Sequence, residues 1–209
     1  DNNIYTIGNF LGKHDFDPGT NVHYLTSNGA FDVFILKLTE HGDFTWVKNI
    51  GGPSIDYPRD IAIDQTNAVY TIGLYNEMVD FDPGTGLYQL NRLRDAAVLT
   101  KLTSDGDFVF AAAFNEISNG RAMGVCLATD LAQNIYLTGS FCGHIDFDPG
   151  PGVFTLAERR GGYDAFILKL AKCKNVTTSS LDVSACNSYT QNNKTYDASG
   201  TYTQVIPNT

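Results

Sequence analysis

Apolar residues in this chain come in short runs separated by clusters of Asp, Asn, Gly and Ser. Ile4-Tyr5-Thr6-Ile7-Gly8, Phe34-Ile35-Leu36-Lys37-Leu38 and Val69-Tyr70-Thr71-Ile72-Gly73 are typical. None has the length or the 3.6-residue period of a helix. They are rich in β-branched and aromatic residues and bounded by turn formers, so they predict strands. Apolar residues fall on both faces of these strands, which predicts sheets covered on both sides.

The runs repeat. Asp-Phe-Asp-Pro-Gly starts at Asp15, Asp80 and Asp146, in steps of 65 and 66 residues. Ile4–Gly8 returns as Val69–Gly73 and as Ile135-Tyr136-Leu137-Thr138-Gly139. Phe34–Leu38 returns as Val98-Leu99-Thr100-Lys101-Leu102 and as Phe166-Ile167-Leu168-Lys169-Leu170. Gly42-Asp43-Phe44-Thr45-Trp46 returns once, as Gly106-Asp107-Phe108-Val109-Phe110. Such order in fixed register marks a structural repeat. Its copies span about 1–57, 58–122 and 123–171.

The middle copy reads as four strands: Ile61–Ile63, Val69–Leu74, Ala97–Leu102 and Phe108–Phe114. The turns at Asp64-Gln65-Thr66-Asn67 and Ser104-Asp105-Gly106-Asp107 suit tight hairpins. Four antiparallel strands per period is the pattern of a β-propeller blade. The fold class is therefore all-β, about 2.7 blades of a partial propeller. The Asp-Phe-Asp-Pro-Gly element falls between the second and third strands and reads as an added hairpin or ordered loop. It lengthens the period beyond the roughly 40–45 residues of common blades. The first copy lacks its first strand. The third lacks its fourth, because Ala171-Lys172-Cys173-Lys174 stands where Gly-Asp-Phe is expected. Residues 1–171 then read as the last blades of a larger ring, closed by a strand upstream of Asp1.

These segments resemble the bacterial propeller repeats called SBBP over about residues 1–171. The resemblance implies an exported bacterial β-propeller with no catalytic residues to carry over. From Cys173 the composition shifts to Thr, Ser and Asn, and 172–209 reads as a linker and the start of a small β module. Cys186-Asn187-Ser188-Tyr189-Thr190 and Tyr196-Asp197-Ala198-Ser199-Gly200-Thr201-Tyr202-Thr203 resemble modules near the C-termini of Bacteroidota surface proteins. That implies a secreted or cell-surface location reached by type IX secretion. Thr201–Ile206 alternates like a strand.

Composition narrows the function classes. The chain carries 14 basic and 23 acidic side chains, a net charge of −9, which disfavours a nucleic-acid partner. No apolar stretch approaches the roughly 20 residues of a membrane span. Among four cysteines, Cys126 reads as a buried core residue, and a Cys126–Cys142 bridge falls out of register. Cys173 and Cys186 flank a loop and could pair with each other, or each with a cysteine outside these residues.

The sharpest chemical candidates are Asp15 with Asp17, Asp80 with Asp82, and Asp146 with Asp148. Carboxylates two residues apart on an extended strand share a face and could hold Ca²⁺ with loop carbonyls. The competing expectation is an Asx turn, with Pro fixing φ and Gly taking a left-handed conformation. Lys37, Lys101 and Lys169 read as solvent-facing or carboxylate-paired. His14, His23, His41 and His144 do not recur in register, and no catalytic constellation is visible. The sequence thus predicts a non-enzymatic scaffold contacting a protein or glycan through its loop rim. The rival expectations are a propeller domain of a secreted carbohydrate-active enzyme and a calcium-stabilised adhesive repeat.

Overall fold

A computed structural model describes residues 2–150, 152–159, 161–171, 189–191 and 194–196. The chain divides into two units, Asp1–Ala171 and Lys172–Thr209. Every regular element among the described residues is a strand, so none is a helix able to cross a membrane.

In the first unit, β1 (Ile4–Phe10), β4 (Asp32–Leu38) and β5 (Phe44–Ile50) form the first sheet. Between β1 and β4 stands a separate hairpin of β2 (Lys13–Asp15) and β3 (Tyr24–Thr26). The second sheet runs in chain order through β6 (Tyr57–Ile63), β7 (Val69–Asp80), β8 (Gln89–Leu102) and β9 (Phe108–Ala113). In the third, β10 (Asn115–Thr129) pairs with β11 (Ile135–Asp146). β11 also pairs with β12 (Thr155–Ala157) and with β13 (Asp164–Leu170). All pairings are antiparallel. The three sheets do not close into a ring. In the second unit β14 (Tyr189–Gln191) pairs with β15 (Lys194–Tyr196). Cys173, Cys186 and Thr201–Ile206 lie outside the described residues.

The expected strands are present; in the middle copy the first three are longer and the fourth ends one residue earlier, at Ala113. The inserted element continues the second and third strands: β7 and β8 pair from Val69↔Leu102 out to Asp80↔Gln89. Each extension starts at a left-handed residue, Gly12 (φ 79°), Glu77 (φ 63°) or Gly143 (φ 68°), at equivalent places in the three copies. The two glycines adopt this backbone without penalty, and Glu77 carries the usual steric cost.

Alternation along β1, β7 and β11 gives each sheet a tyrosine face, with Tyr5, Tyr70 and Tyr136, and a reverse face. The tyrosine face of the first sheet packs on the reverse face of the second, joining Val33 and Ile35 to Val69, Tyr75, Val98 and Leu102. The tyrosine face of the second packs on the reverse face of the third, joining Ile72 and Leu99 to Leu137, Phe141 and Phe166. Gly124 permits that approach, since a Cβ there would overlap Ile72. Asp60 Oδ2 accepts from the Leu127 N–H at 2.7 Å, and Thr129 Oγ1 donates to the Ile63 carbonyl at 3.0 Å, tying the second sheet to the third.

Candidate functional site: the hairpin rim

The three Asp-Phe-Asp-Pro-Gly loops share one hydrogen-bond network. The first aspartate closes the loop. Asp15 Oδ1 accepts from the Asp17 and His23 N–H groups at 3.1 and 2.8 Å. Asp80 Oδ1 accepts from Asp82 and Tyr88 at 3.1 and 2.9 Å, and Asp146 Oδ1 from Asp148 and Phe154 at 3.0 and 2.8 Å. The second aspartate holds the turn: Oδ1 of Asp17, Asp82 and Asp148 accepts from the N–H of Gly19, Gly84 and Gly150 at 2.8, 2.8 and 2.7 Å. The backbone donors, that of His23 foremost, hold the Asp15 carboxyl below its ordinary range. The expected left-handed glycine is not found, because Gly19, Gly84 and Gly150 keep ordinary φ. The aspartate side chain, not a positive φ, shapes the turn. Among the described residues no group of three or more His, Cys, Asp or Glu side chains is placed to hold a metal.

The phenylalanine between the aspartates pins the loop to its sheet. Phe16, Phe81 and Phe147 meet Phe10, Tyr75 and Phe141 edge-on, at centroid distances of 5.2, 4.8 and 5.5 Å. At the return of the hairpin, His23 stacks on Phe44 and Tyr88 on Phe108, both at 4.8 Å. His23 therefore takes the place of Tyr88 and Phe154, and the neighbouring Tyr24 instead receives Lys13 over its ring at 4.1 Å. Just before these rings an aliphatic side chain stands in solvent: Val22, Leu87 and Val153 are 57%, 71% and 73% exposed. Extending the repeat alignment four residues past Asp-Phe-Asp-Pro-Gly would have found this pair of positions, aliphatic then ring.

At the opposite end of the sheets a second repeated turn appears. Asp64 and Asp130 each gather turn N–H groups and the hydroxyl of the following tyrosine, Tyr70 at 3.1 Å and Tyr136 at 3.0 Å. Burial pushes the Asp64 carboxyl up, but its hydrogen bonds outweigh that and hold it low. Bonds from Asn134, then from Tyr136 and Ala132, hold Asp130 at about 2. The recurring lysines are seated on rings: Lys37, Lys101 and Lys169 lie over Tyr5, Tyr70 and Tyr136 at 5.4, 4.8 and 5.2 Å, with Lys169 facing solvent as expected and Lys37 buried. The register sets each lysine directly opposite its tyrosine, which places the cation over the ring.

Burial also gathers acids that sequence spacing did not single out. Asp32 and Asp56 are fully buried between the first and second sheets. Asp56 accepts from the Gly52 and Asn76 N–H groups at 2.9 and 3.1 Å. Burial first, with repulsion from Asp32 and Glu77, pushes its carboxyl up to about 6. Burial raises Asp32 as well. The Tyr75 hydroxyl and Asp32 Oδ1 have no hydrogen-bond partner among the described residues.

The remaining candidates stay apart. His14 bonds the Leu11 carbonyl at 2.9 Å, and His41 lies 3.6 Å from Glu40. Cys126 is exposed, contrary to expectation, because it pairs with Thr138 on the uncovered tyrosine face of the third sheet. Cys142 pairs instead with Arg121, so both cysteines are free. No protein-family model matches the chain, and no curated protein matches it.

Proposed function

We propose that residues 1–171 are blades of a non-enzymatic β-propeller, a rigid module of a larger exported bacterial surface protein. Its partners, a protein or a glycan, meet the hairpin rim. One observation carries the scaffold reading: the repeat stacks head to tail, and one repeated position changes exposure along the stack. Ile35 and Leu99 are 0% exposed, while the equivalent Ile167 is 85% exposed. An apolar residue at that position suits a further sheet packed on the third. Head-to-tail contacts of this kind propagate until a ring closes. The exposed Val22, Leu87 and Val153 support the rim as the contact surface, since loops over a rigid scaffold carry function. Export rests on the resemblance of the repeats and of the C-terminal segment.

Sedimentation of the chain across a concentration series tests the scaffold reading. The expected result is head-to-tail association, with binding of an apolar dye, both abolished by Ile167→Glu. A monodisperse monomer that unfolds cooperatively and binds no dye would overturn it.

A further inference from the structure

The junction between the first and second sheets brings two buried carboxylates together. Asp32 and Asp56 are both 0% exposed. The Asp56 N–H donates to the Phe31 carbonyl at 2.7 Å, which sets it beside the residue before Asp32. The carboxylates then meet consecutive glycines. Asp32 lies against Gly51, where a Cβ would overlap its carboxylate, and Asp56 Oδ2 accepts from the Gly52 N–H at 2.9 Å. Among the described residues the donors to this pair are neutral: the Asn28, Gly52 and Asn76 N–H groups at 2.8, 2.9 and 3.1 Å, and the Asn49 amide at 2.9 Å. Burial first, then the Asp32 charge, raises the Asp56 carboxyl, so the two acids feel each other. Like charges buried together are costly without a compensating cation.

Three oxygens point to what compensates them. Asp32 Oδ1, Asn49 Oδ1 and the Tyr75 hydroxyl are buried with no hydrogen-bond partner among the described residues. The Asn49 amide nitrogen is tied to Asp32 Oδ2, so its oxygen stands at the same carboxylate. Tyr75 is fully buried. After burial itself, the charges of Asp56 and then Asp32 raise its hydroxyl above the ordinary range, so the hydroxyl faces both acids. Asp32 Oδ1 and Asn49 Oδ1 can only accept. Acceptors without donors, beside excess negative charge, are the ligand set of a cation. The set is all oxygen, which selects a hard cation over the metals that take Cys or His. Ca²⁺ balances two carboxylates and tolerates irregular coordination by mixed oxygens, whereas Mg²⁺ demands a near-octahedral shell.

We propose that Asp32, Asp56, Asn49 and Tyr75 form a single Ca²⁺ site inside the first junction, with water or backbone carbonyls completing the shell. It is separate from the Asp-Phe-Asp-Pro-Gly loops, whose aspartates accept from their own turn N–H groups. The second junction has Ala122 and Phe141 in place of Asp56 and Tyr75, so it lacks the ligands. The inference depends neither on a closed ring nor on the rim as a contact surface.

The test titrates the whole chain with CaCl₂ after chelator treatment, in about 0.15 M NaCl to screen diffuse binding to an acidic chain. Calorimetry should give one Ca²⁺ per chain, and saturation should raise the melting temperature by about 5 °C. Asp56→Asn and Asp32→Asn each abolish both signals, and Asp82→Asn in a hairpin loop leaves them unchanged. Tyr75→Phe keeps the fold intact for the comparison. In chelator it melts no lower than the parent, and it weakens Ca²⁺ binding about tenfold, the scale of one lost contact to a charge. No binding, three equivalents per chain, a response that survives Asp56→Asn, or an affinity indifferent to Tyr75→Phe overturns the proposal.

Discussion

The junction between the first and second sheets and the junction between the second and third use the same repeat positions, with opposite chemistry. The first holds Asp32, Asp56 and Tyr75, all fully buried. At the places equivalent to Asp56 and Tyr75 the second holds Ala122 and Phe141. The first must satisfy two carboxylates with backbone N–H groups and Asn49, and among the described residues it leaves Asp32 Oδ1 and the hydroxyls of Tyr75, Thr71 and Thr100 without partners. The second relies on close apolar packing. A repeat thus prescribes where sheets meet without prescribing how, provided that the buried carboxylates find donors for most of their oxygens.

The largest effect should come from truncation in the apolar junction. Leu99→Ala is expected to cost about 3 kcal/mol by denaturant unfolding, and Ile167→Ala at the equivalent exposed position less than about 0.5 kcal/mol. Equal costs would mean that burial at this position does not differ between the copies.

The polar junction should show itself in pH dependence. The Asp56 carboxyl is raised from 3.8 to about 6, so the folded chain binds its proton more tightly than the unfolded chain does. Between these values the fold holds more protons, and stability rises as pH falls from 7 towards 5. Linkage at 1.36 kcal/mol per pKa unit puts the effect at up to about 3 kcal/mol across the window. Asp15, Asp64 and Asp130 are held low and act in the opposite sense, losing their contribution on further acidification. Stability should therefore peak between about pH 4 and 5. Asp56→Asn should flatten the limb between pH 5 and 7, and an unchanged limb would remove Asp56 as its source.

The smallest effect sharpens the comparison most directly. Tyr75→Phe makes the polar junction resemble the Phe141 side and removes a buried hydroxyl without a partner. Unfolding should become harder by about 1 kcal/mol. A loss of stability instead would show that the hydroxyl is satisfied in solution.

Much of this was legible in the chain because repetition is a sequence property. Strand type, strand order and the turns at Asp43 and Asp107 follow from runs such as Phe34–Leu38 and from Gly42 and Gly106, which take φ of 86° and 81°. The hairpin loops were legible in position but not in mechanism. Asp-Pro-Gly suggested a left-handed glycine, yet the aspartate carboxylates gather the N–H groups. The burial of Lys37 and the exposure of Cys126 were misjudged for one reason: the partner or the open face that decides them lies across a strand pair or at the end of the stack.

What the sequence determined by itself was periodic: an all-β chain, a repeat of 65 and 66 residues, antiparallel hairpins and a recurring Asp-Phe-Asp-Pro-Gly loop. These depend on local backbone preference and side-chain alternation, which short segments carry alone. The tertiary structure decided which face of each sheet is covered and which acids are buried. Those outcomes depend on what packs beside a segment. Ile35, Leu99 and Ile167 therefore read alike in sequence and differ in the fold.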